Sequence, residues 1–275
     1  TGYSIIAFQT AYLKTYFPVQ YMAAVLTLES QAKKTEEWAP YIADCKRTVF
    51  PDHTQSNKHV GFDVGSPDIN YSDALFSVVF NDDEEKTNLG GHIRFGLGAV
   101  KGAGNSAVRA IVEERVNGGP FLSIFDFCSR VSSKSVNRAT VESLIRGGAF
   151  DSVHGVENRS ALLAVLDKAI SIGASIAKDK EAGQGALFGG GDSCENVDQT
   201  ENELPKTKPW TKAETLNQEK GVLGIHVSGH PLDEHGDCLE SWCTDSASTL
   251  KESRVGKDVV VGGVITSVRI VVIRN

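Results

Sequence analysis

The sequence predicts a mainly α-helical protein with one small β-hairpin and a strand-forming C-terminal end. Three observations carry that expectation. Apolar residues recur at helical spacing through most of the chain. Short glycine-bearing turns interrupt the helices at Gly102-Ala103-Gly104, Gly118-Gly119-Pro120 and Gly147-Gly148. The run from Val259 to Ile273 is dominated by Val and Ile, whose branched side chains favour strands.

The elements follow in order. Ile5, Ile6, Phe8, Tyr12 and Leu13, then Tyr21, Met22, Val25 and Leu26, lie at helical spacing on either side of Pro18, which predicts two packed helices. A third helix is expected from Glu36 to Arg47, followed by an irregular stretch from Val49 to Ser72. The alternation from Leu75 to Phe80, the acidic turn from Asp82 to Glu85 and the return from His92 to Phe95 predict a hairpin. From Gly96 to about Lys180 the pattern is a bundle of short helices. Residues 182–208 are rich in Gly, Asp, Glu and Asn and read as a flexible linker. A helix from Ala213 to Leu223 follows. One or two terminal strands at 259–273 leave an unpaired edge unless further strands join them.

The chain has 275 residues, 40% hydrophobic and 23% charged, which suits globular structure and about two domains. Its only methionine is Met22, and it opens at Thr1 directly into a helix-like run, so it reads as part of something longer. No stretch approaches the roughly 18 uninterrupted apolar residues of a membrane span, and no leader is visible, so the expected compartment is the cytoplasm with no membrane partner. Five scattered cysteines, Cys45, Cys128, Cys194, Cys238 and Cys243, fit reduced thiols better than a disulfide framework.

A net charge of -7 argues against nucleic acid, but the distribution matters more than the sum. Between Gly91 and Arg138 seven basic residues (Arg94, Lys101, Arg109, Arg115, Arg130, Lys134, Arg138) face three acids, a local balance of +4. Between Ser175 and Pro205 two lysines face seven acids.

Within the basic stretch, residues 97–108 (LGAVKGAGNSAV) read as a short helix, a Gly-Ala-Gly turn and a second helix. Glycine permits backbone angles closed to other residues, and the amides opening the second helix point outward with the positive end of its dipole. Such a turn grips one backbone phosphate without reading bases. The candidate contacts are Lys101, Gly102, Ala103, Gly104 and Asn105, with Arg109 and Arg94 adding charge. A bare Gly-x-Gly is also an ordinary helix connection. A second unit, a helix from Val136 to Ile145, the turn Arg146 to Asp151 and a helix from Glu157 through Ala169, makes a tandem helix-hairpin-helix module the favoured reading. Its turn lacks Gly-x-Gly and can be purely structural.

In the linker, Gln184-Gly185-Ala186-Leu187-Phe188 sets two apolar side chains in a polar segment, where they gain nothing without a partner's pocket. The candidate anchor residues are Gln184, Leu187 and Phe188. His226, His230, His235 and Cys238 allow a zinc reading, but no Cys-x-x-Cys pair accompanies them, and hydrogen-bonded histidines are the simpler account. There is no Gly-x-x-x-x-Gly-Lys loop, no Gly-x-Ser-x-Gly elbow and no Asp-x-Asp pair for two magnesium ions, so neither catalytic residues nor a metal site are expected.

Several segments together resemble the alpha subunit of bacterial DNA polymerase III. They are residues 1–14 (TGYSIIAFQTAYLK), 16–18 (YFP), 21–27 (YMAAVLT), 44–47 (DCKR), 67–70 (PDIN), 95–102 (FGLGAVKG), 144–151 (LIRGGAFD) and 223–232 (LGIHVSGHPL). The resemblance implies late polymerase fingers at 1–90, a tandem helix-hairpin-helix domain at 91–180 and a linker with the internal clamp-binding peptide at 181–209. It further implies a helical connector at 210–257 and the first strands of an OB-fold at 258–275. It makes Lys101, Gly102 and Gly104 contacts to duplex primer-template DNA, and Gln184, Leu187 and Phe188 the peptide that docks the sliding clamp, or beta subunit. Other polymerase III holoenzyme subunits are implied partners. The family's catalytic carboxylates and their magnesium sit in a palm domain upstream, so no catalytic residue transfers and no cofactor is expected within these residues. Residues 48–65 look like an insertion relative to the family. The rival readings are a stand-alone helix-hairpin-helix DNA-repair module and a purely protein-binding adaptor.

Overall fold

A computed structural model of the chain describes residues 2–32, 35–48, 61–80, 86–87, 89–132, 134–181, 203–245, 256–265 and 268. The chain divides into two compact units, Thr1–Ser228 and Gly229–Asn275. The first is helical around a small sheet, and the fingers and bundle regions anticipated at 1–90 and 91–180 both lie within it.

Three helices open the first unit: α1 (Gly2–Tyr16), α2 (Pro18–Ala32) and α3 (Thr35–Arg47). Pro18 takes the first position of α2, where its missing N–H costs nothing because first-turn amides have no partner inside a helix. The inward stripe of α2 is Val19, Met22, Ala23 and Leu26, and that of α3 is Trp38, Ile42 and Cys45. Helix α1 buries none of its residues and leaves Tyr3, Ile5, Ile6 and Phe8 exposed. Lys14 ties it to α3 by donating to Asp44 at 2.6 Å.

The expected hairpin forms from β2 (Ser77–Val79) and β3 (His92–Arg94), antiparallel with Val78 opposite Ile93. Its acidic turn, 82–85, lies outside the described residues. The stretch expected to be irregular contributes a short strand, β1 (Val64–Gly65), parallel to β3, so the sheet order is β1-β3-β2. Trp38, Phe76 and Phe95 meet beneath it with ring centroids 4.7 to 6.1 Å apart, joining α3 to the sheet.

The bundle comprises α4 (Asn105–Gly118), α5 (Ile124–Arg130), α6 (Arg138–Arg146), α7 (Asp151–His154), α8 (Arg159–Glu181) and, beyond the linker, α9 (Lys212–Leu223). Helix α8 runs past its expected end at Ala169. By length and composition, Val156–Lys178 could cross a membrane. Its inward residues Ala161, Leu162, Val165, Leu166 and Ala169 are instead buried, most of them in the bundle core.

The Pro-Asp-Ile-Asn segment sews the sheet to the bundle. Asp68 accepts from the amides of Asn70 and Tyr71 at 2.7 and 3.1 Å, which fixes the bend. Asn70 then clips the main chain of Phe121 from both sides, accepting from its N–H at 2.7 Å and donating to its carbonyl at 2.9 Å. Arg115 closes the same bend by donating to the carbonyls of Ile69 and Ser72.

Two thiols are chemically quiet: desolvation pushes buried Cys45 and half-buried Cys128 both up to about 12. His154 accepts from the amide of Ile124 through Nε2 at 3.0 Å, and burial holds its pKa below the ordinary 6.5. Because the folded state favours the neutral ring, the unfolded chain binds the extra proton first. Stability should therefore fall as pH drops from about 7.5 to 5.5. Unfolding midpoints across that range should fall less steeply in His154→Gln, and an equal slope in both proteins would contradict the assignment.

In the second unit, α10 (Gly236–Trp242) follows a short 3-10 turn, Asp233–His235. Thr244 donates its amide to the carbonyl of Val260 at 3.0 Å and accepts from the amide of Val260 through Oγ1 at 3.0 Å. Of the expected strand run, residues 259–265 carry no regular secondary structure. Residues 266–267 and 269–273 of that run lie outside the described residues.

Candidate nucleic-acid interface

A 3-10 turn, Leu97–Ala99, leads into Val100 and the bend ahead of α4. Ala103 donates its amide to Val100 at 3.0 Å, and Gly102 occupies the third position of this four-residue turn with φ +88°. That is the pattern of a type II turn, whose third position excludes most side chains. The bend is held from below on two sides. Lys101 donates its amide to the Val222 carbonyl of α9 at 2.8 Å, and Thr140 of α6 donates its hydroxyl to the Gly102 carbonyl at 2.9 Å. A side chain at Gly102 would also press on Ser143 Oγ, 3.0 Å away.

Gly104 is different. Its φ and ψ of -69° and 155° are open to any residue, and an added Cβ would meet nothing within 4 Å. The fold does not need a glycine here. It stands as the N-cap of α4 with no side chain to satisfy the first amides, and the first helical bond is from Val108 N–H to the Gly104 carbonyl at 3.0 Å. The opening amides of Asn105, Ser106 and Ala107 therefore have no partner within the helix, and Asn105 and Ser106 are exposed. Gly102 and Gly104 are exposed as well, while Ala103 is buried and anchors the turn. Lys101 is exposed at the bend, and Arg109 is exposed one helical turn beyond Asn105 on the same side of α4. The result is an uncapped start to a helix of 14 residues, flanked by two cations, with no side-chain cap hydrogen bond among the described residues.

The +4 balance of the basic stretch overstates what a ligand meets. Arg115 is spent on carbonyls. Arg130 lies between Glu114 and Asp126 and over the Phe121 ring at 4.6 Å. Arg138 pairs with Glu142 and Asp167 at 2.6 Å each. Lys101, Arg109 and Lys134 make no ion pair among the described residues. Arg94 lies on β3 with its guanidinium 5.6 Å from the Tyr71 ring, so it belongs to the sheet rather than to the bend. Charge counting alone does not reveal these internal pairings.

The second hairpin faces inward. Gly148 has φ +85°, and a Cβ there would strike the Arg159 guanidinium and lie 2.8 Å from Asp151 Oδ2. Ala149 and Phe150 are fully buried, and the Ala149 carbonyl accepts from the Ile69 amide at 2.9 Å. Arg159, 1% exposed, donates through Nε to Asp151 at 2.8 Å and pairs with it again through Nη2; its Nη1 reaches Glu219 at 3.0 Å. Glu219, 0% exposed, accepts in turn from the amides of Val227 and Ser228 at 3.2 and 3.1 Å. This triad, with Arg159 and Glu219 buried and Asp151 partly so, fixes α9, and α9 supplies the carbonyl under Lys101.

Gln184, Leu187 and Phe188 lie outside the described residues. Their segment leaves from α8, and the chain is described again from Glu203. Thr207 and Lys208 lie against Ser160 at the start of α8, at 2.8 and 3.0 Å. Among the described residues no group of three or more His, Cys, Asp or Glu side chains could hold a metal ion. His226 Nδ1 instead lies 3.0 Å from the Leu216 carbonyl.

A helix-hairpin-helix motif model matches residues 61–162, the span from the Pro-Asp-Ile-Asn bend through both hairpins. The chain is 35% identical over 282 residues to DNA polymerase III subunit alpha of Pseudomonas aeruginosa, covering 98% of this chain and 22% of that protein. It is 34% identical over 269 residues to the Haemophilus influenzae subunit and 30% identical over 275 residues to that of Escherichia coli K12, covering 98% and 100% of this chain and 21% of each relative. The chain thus spans about a fifth of the length of the curated relatives it matches. Similarity that runs through the opening helices, the double hairpin and the segment beyond the linker leads to one assignment: the chain belongs to the DNA polymerase III alpha-subunit family.

Proposed function

We propose that this chain is the part of a bacterial replicative DNA polymerase that holds primer-template duplex by its backbone and docks the sliding clamp. The observation that carries the first half is the uncapped start of α4. Its unpartnered amides at Asn105 and Ser106, the bare Gly104 and the cations Lys101 and Arg109 together suit one phosphate group. Amides and cations gathered on one phosphate carry no sequence information. Lys101→Glu should therefore weaken duplex binding alike for every sequence and lower the salt slope by about 1. A sequence-selective loss would reject the phosphate role.

Clamp docking rests on Gln184, Leu187 and Phe188. A tethered peptide converts repeated encounters into an intramolecular event and raises processivity without altering chemistry. Replacing Leu187 and Phe188 together with alanine should abolish binding of the purified clamp in a titration, and unchanged affinity would reject the anchor. In this reading nucleotidyl transfer, its magnesium and its carboxylates belong to a palm domain outside these residues, in a cytoplasmic enzyme. The alignments to polymerase subunits continue on both sides of the double hairpin, which favours the polymerase over a stand-alone repair module.

A further inference from the structure

Beside the bend lies an open groove of about 400 Å³ between the C-terminal turns of α2 and the start of α4. Thr27, Ser30 and Gln31 of α2 line one wall, and the apolar segment 74–76 with Gly98, Ala99 and Asn105 completes the lining. Spacings of three and four place the α2 residues on one side of the helix. The same side, further back, is the apolar stripe Val19, Met22, Ala23 and Leu26 that packs into the core. Where the stripe reaches the groove it changes to hydroxyl and amide groups. Asn105 belongs both to the groove and to the open amides of α4. Among the described residues no charged side chain lines it.

We propose that this groove seats the sugar-phosphate segment next to the phosphate gripped by α4, with Thr27 and Gln31 donating to its oxygens. Neutral Ser, Thr, Asn and Gln side chains are common partners of nucleic-acid backbones, because they donate without the desolvation cost of a cation. A groove with small walls at Gly98 and Ala99, beside Leu75 and Phe76, admits a ribose and phosphate, and it continues the path from the uncapped start of α4. The inference rests on the duplex-binding reading above. It adds α2, from the fingers region, to a footprint that sequence reasoning confined to the hairpin and Arg94.

The test compares Gln31→Lys and Gln31→Glu with Lys101→Glu and a control, Ser171→Lys at an exposed position of α8, in the full chain titrated with a short duplex across a salt series. Gln31 is exposed at the end of α2, so these variants leave the core untouched. Gln31→Lys should tighten binding several-fold at low salt and steepen the salt slope by about 0.9. Gln31→Glu should weaken binding, and Ser171→Lys should change little. If Lys101→Glu weakens binding while neither Gln31 variant moves it, the groove is empty of DNA and the hairpin reading stands. If Gln31→Lys and Ser171→Lys tighten binding equally, the effect is bulk charge and the groove proposal falls. If none of the variants at Lys101 or Gln31 alters binding, the hairpin reading falls with it.

Discussion

Arg159→Met should lower the stability of the folded chain by about 3–5 kcal/mol, the cost of breaking a buried ion pair by removing one partner. Arg159 makes three hydrogen bonds to Asp151 and Glu219, and Glu219 has no solvent to fall back on. Without the guanidinium, the Glu219 carboxylate stays buried against two backbone amides alone. Methionine matches the apolar volume but supplies no charge. Arg159→Lys should recover only part of the loss, because one ammonium cannot reproduce the two-pronged fork toward Asp151 while reaching Glu219. Denaturant melts at matched m-value measure this, and a loss under about 1 kcal/mol would show that the triad is not the structural clamp described here. The change should also loosen α9, whose Val222 carbonyl holds Lys101.

Gly104→Ser should have opposite effects on stability and on binding. Serine is a better N-cap than glycine, so α4 should gain a few tenths of a kcal/mol. The new Cβ has open space, so no clash offsets that gain. The hydroxyl, however, accepts from the amides that a phosphate would use and fills the ground over which a phosphate approaches. A hydrogen bond to a charged group contributes roughly 1.5–3 kcal/mol, so duplex affinity should fall about tenfold or more. A merely structural glycine predicts the reverse pairing, with stability lost and binding tracking it. Measuring melting and duplex titration on the same sample separates the two accounts.

Local pattern carried much of the fold. The stripes 19/22/23/26 and 38/42/45 mark the inward sides of α2 and α3, and Pro18 marks the break between the first two helices. The Gly102 turn was legible because φ +88° demands a residue without a side chain. Long-range partners were not legible. Arg115, Arg130 and Arg138 look alike in sequence to Lys101 and Arg109, yet carbonyls and acids up to 46 residues away absorb Arg115, and Asp167 draws in Arg138. That the second turn, at Gly147-Gly148, lacks Gly-x-Gly left a purely structural role open in the sequence, but not that Arg159 and Asp151 pack against Gly148. Strand β1, two residues long, is too short for any periodicity.

Amide proton shifts report directly on the open amides of α4. In a titration of the isotope-labelled chain with a short duplex, the N–H signals of Asn105 and Ser106 should move furthest, in the direction of stronger hydrogen bonding, with Lys101 and Arg109 side-chain signals following. The shifts should reverse when salt is raised. If the Asn105 and Ser106 amides stay still while the duplex binds elsewhere on the chain, α4 does not hold the phosphate.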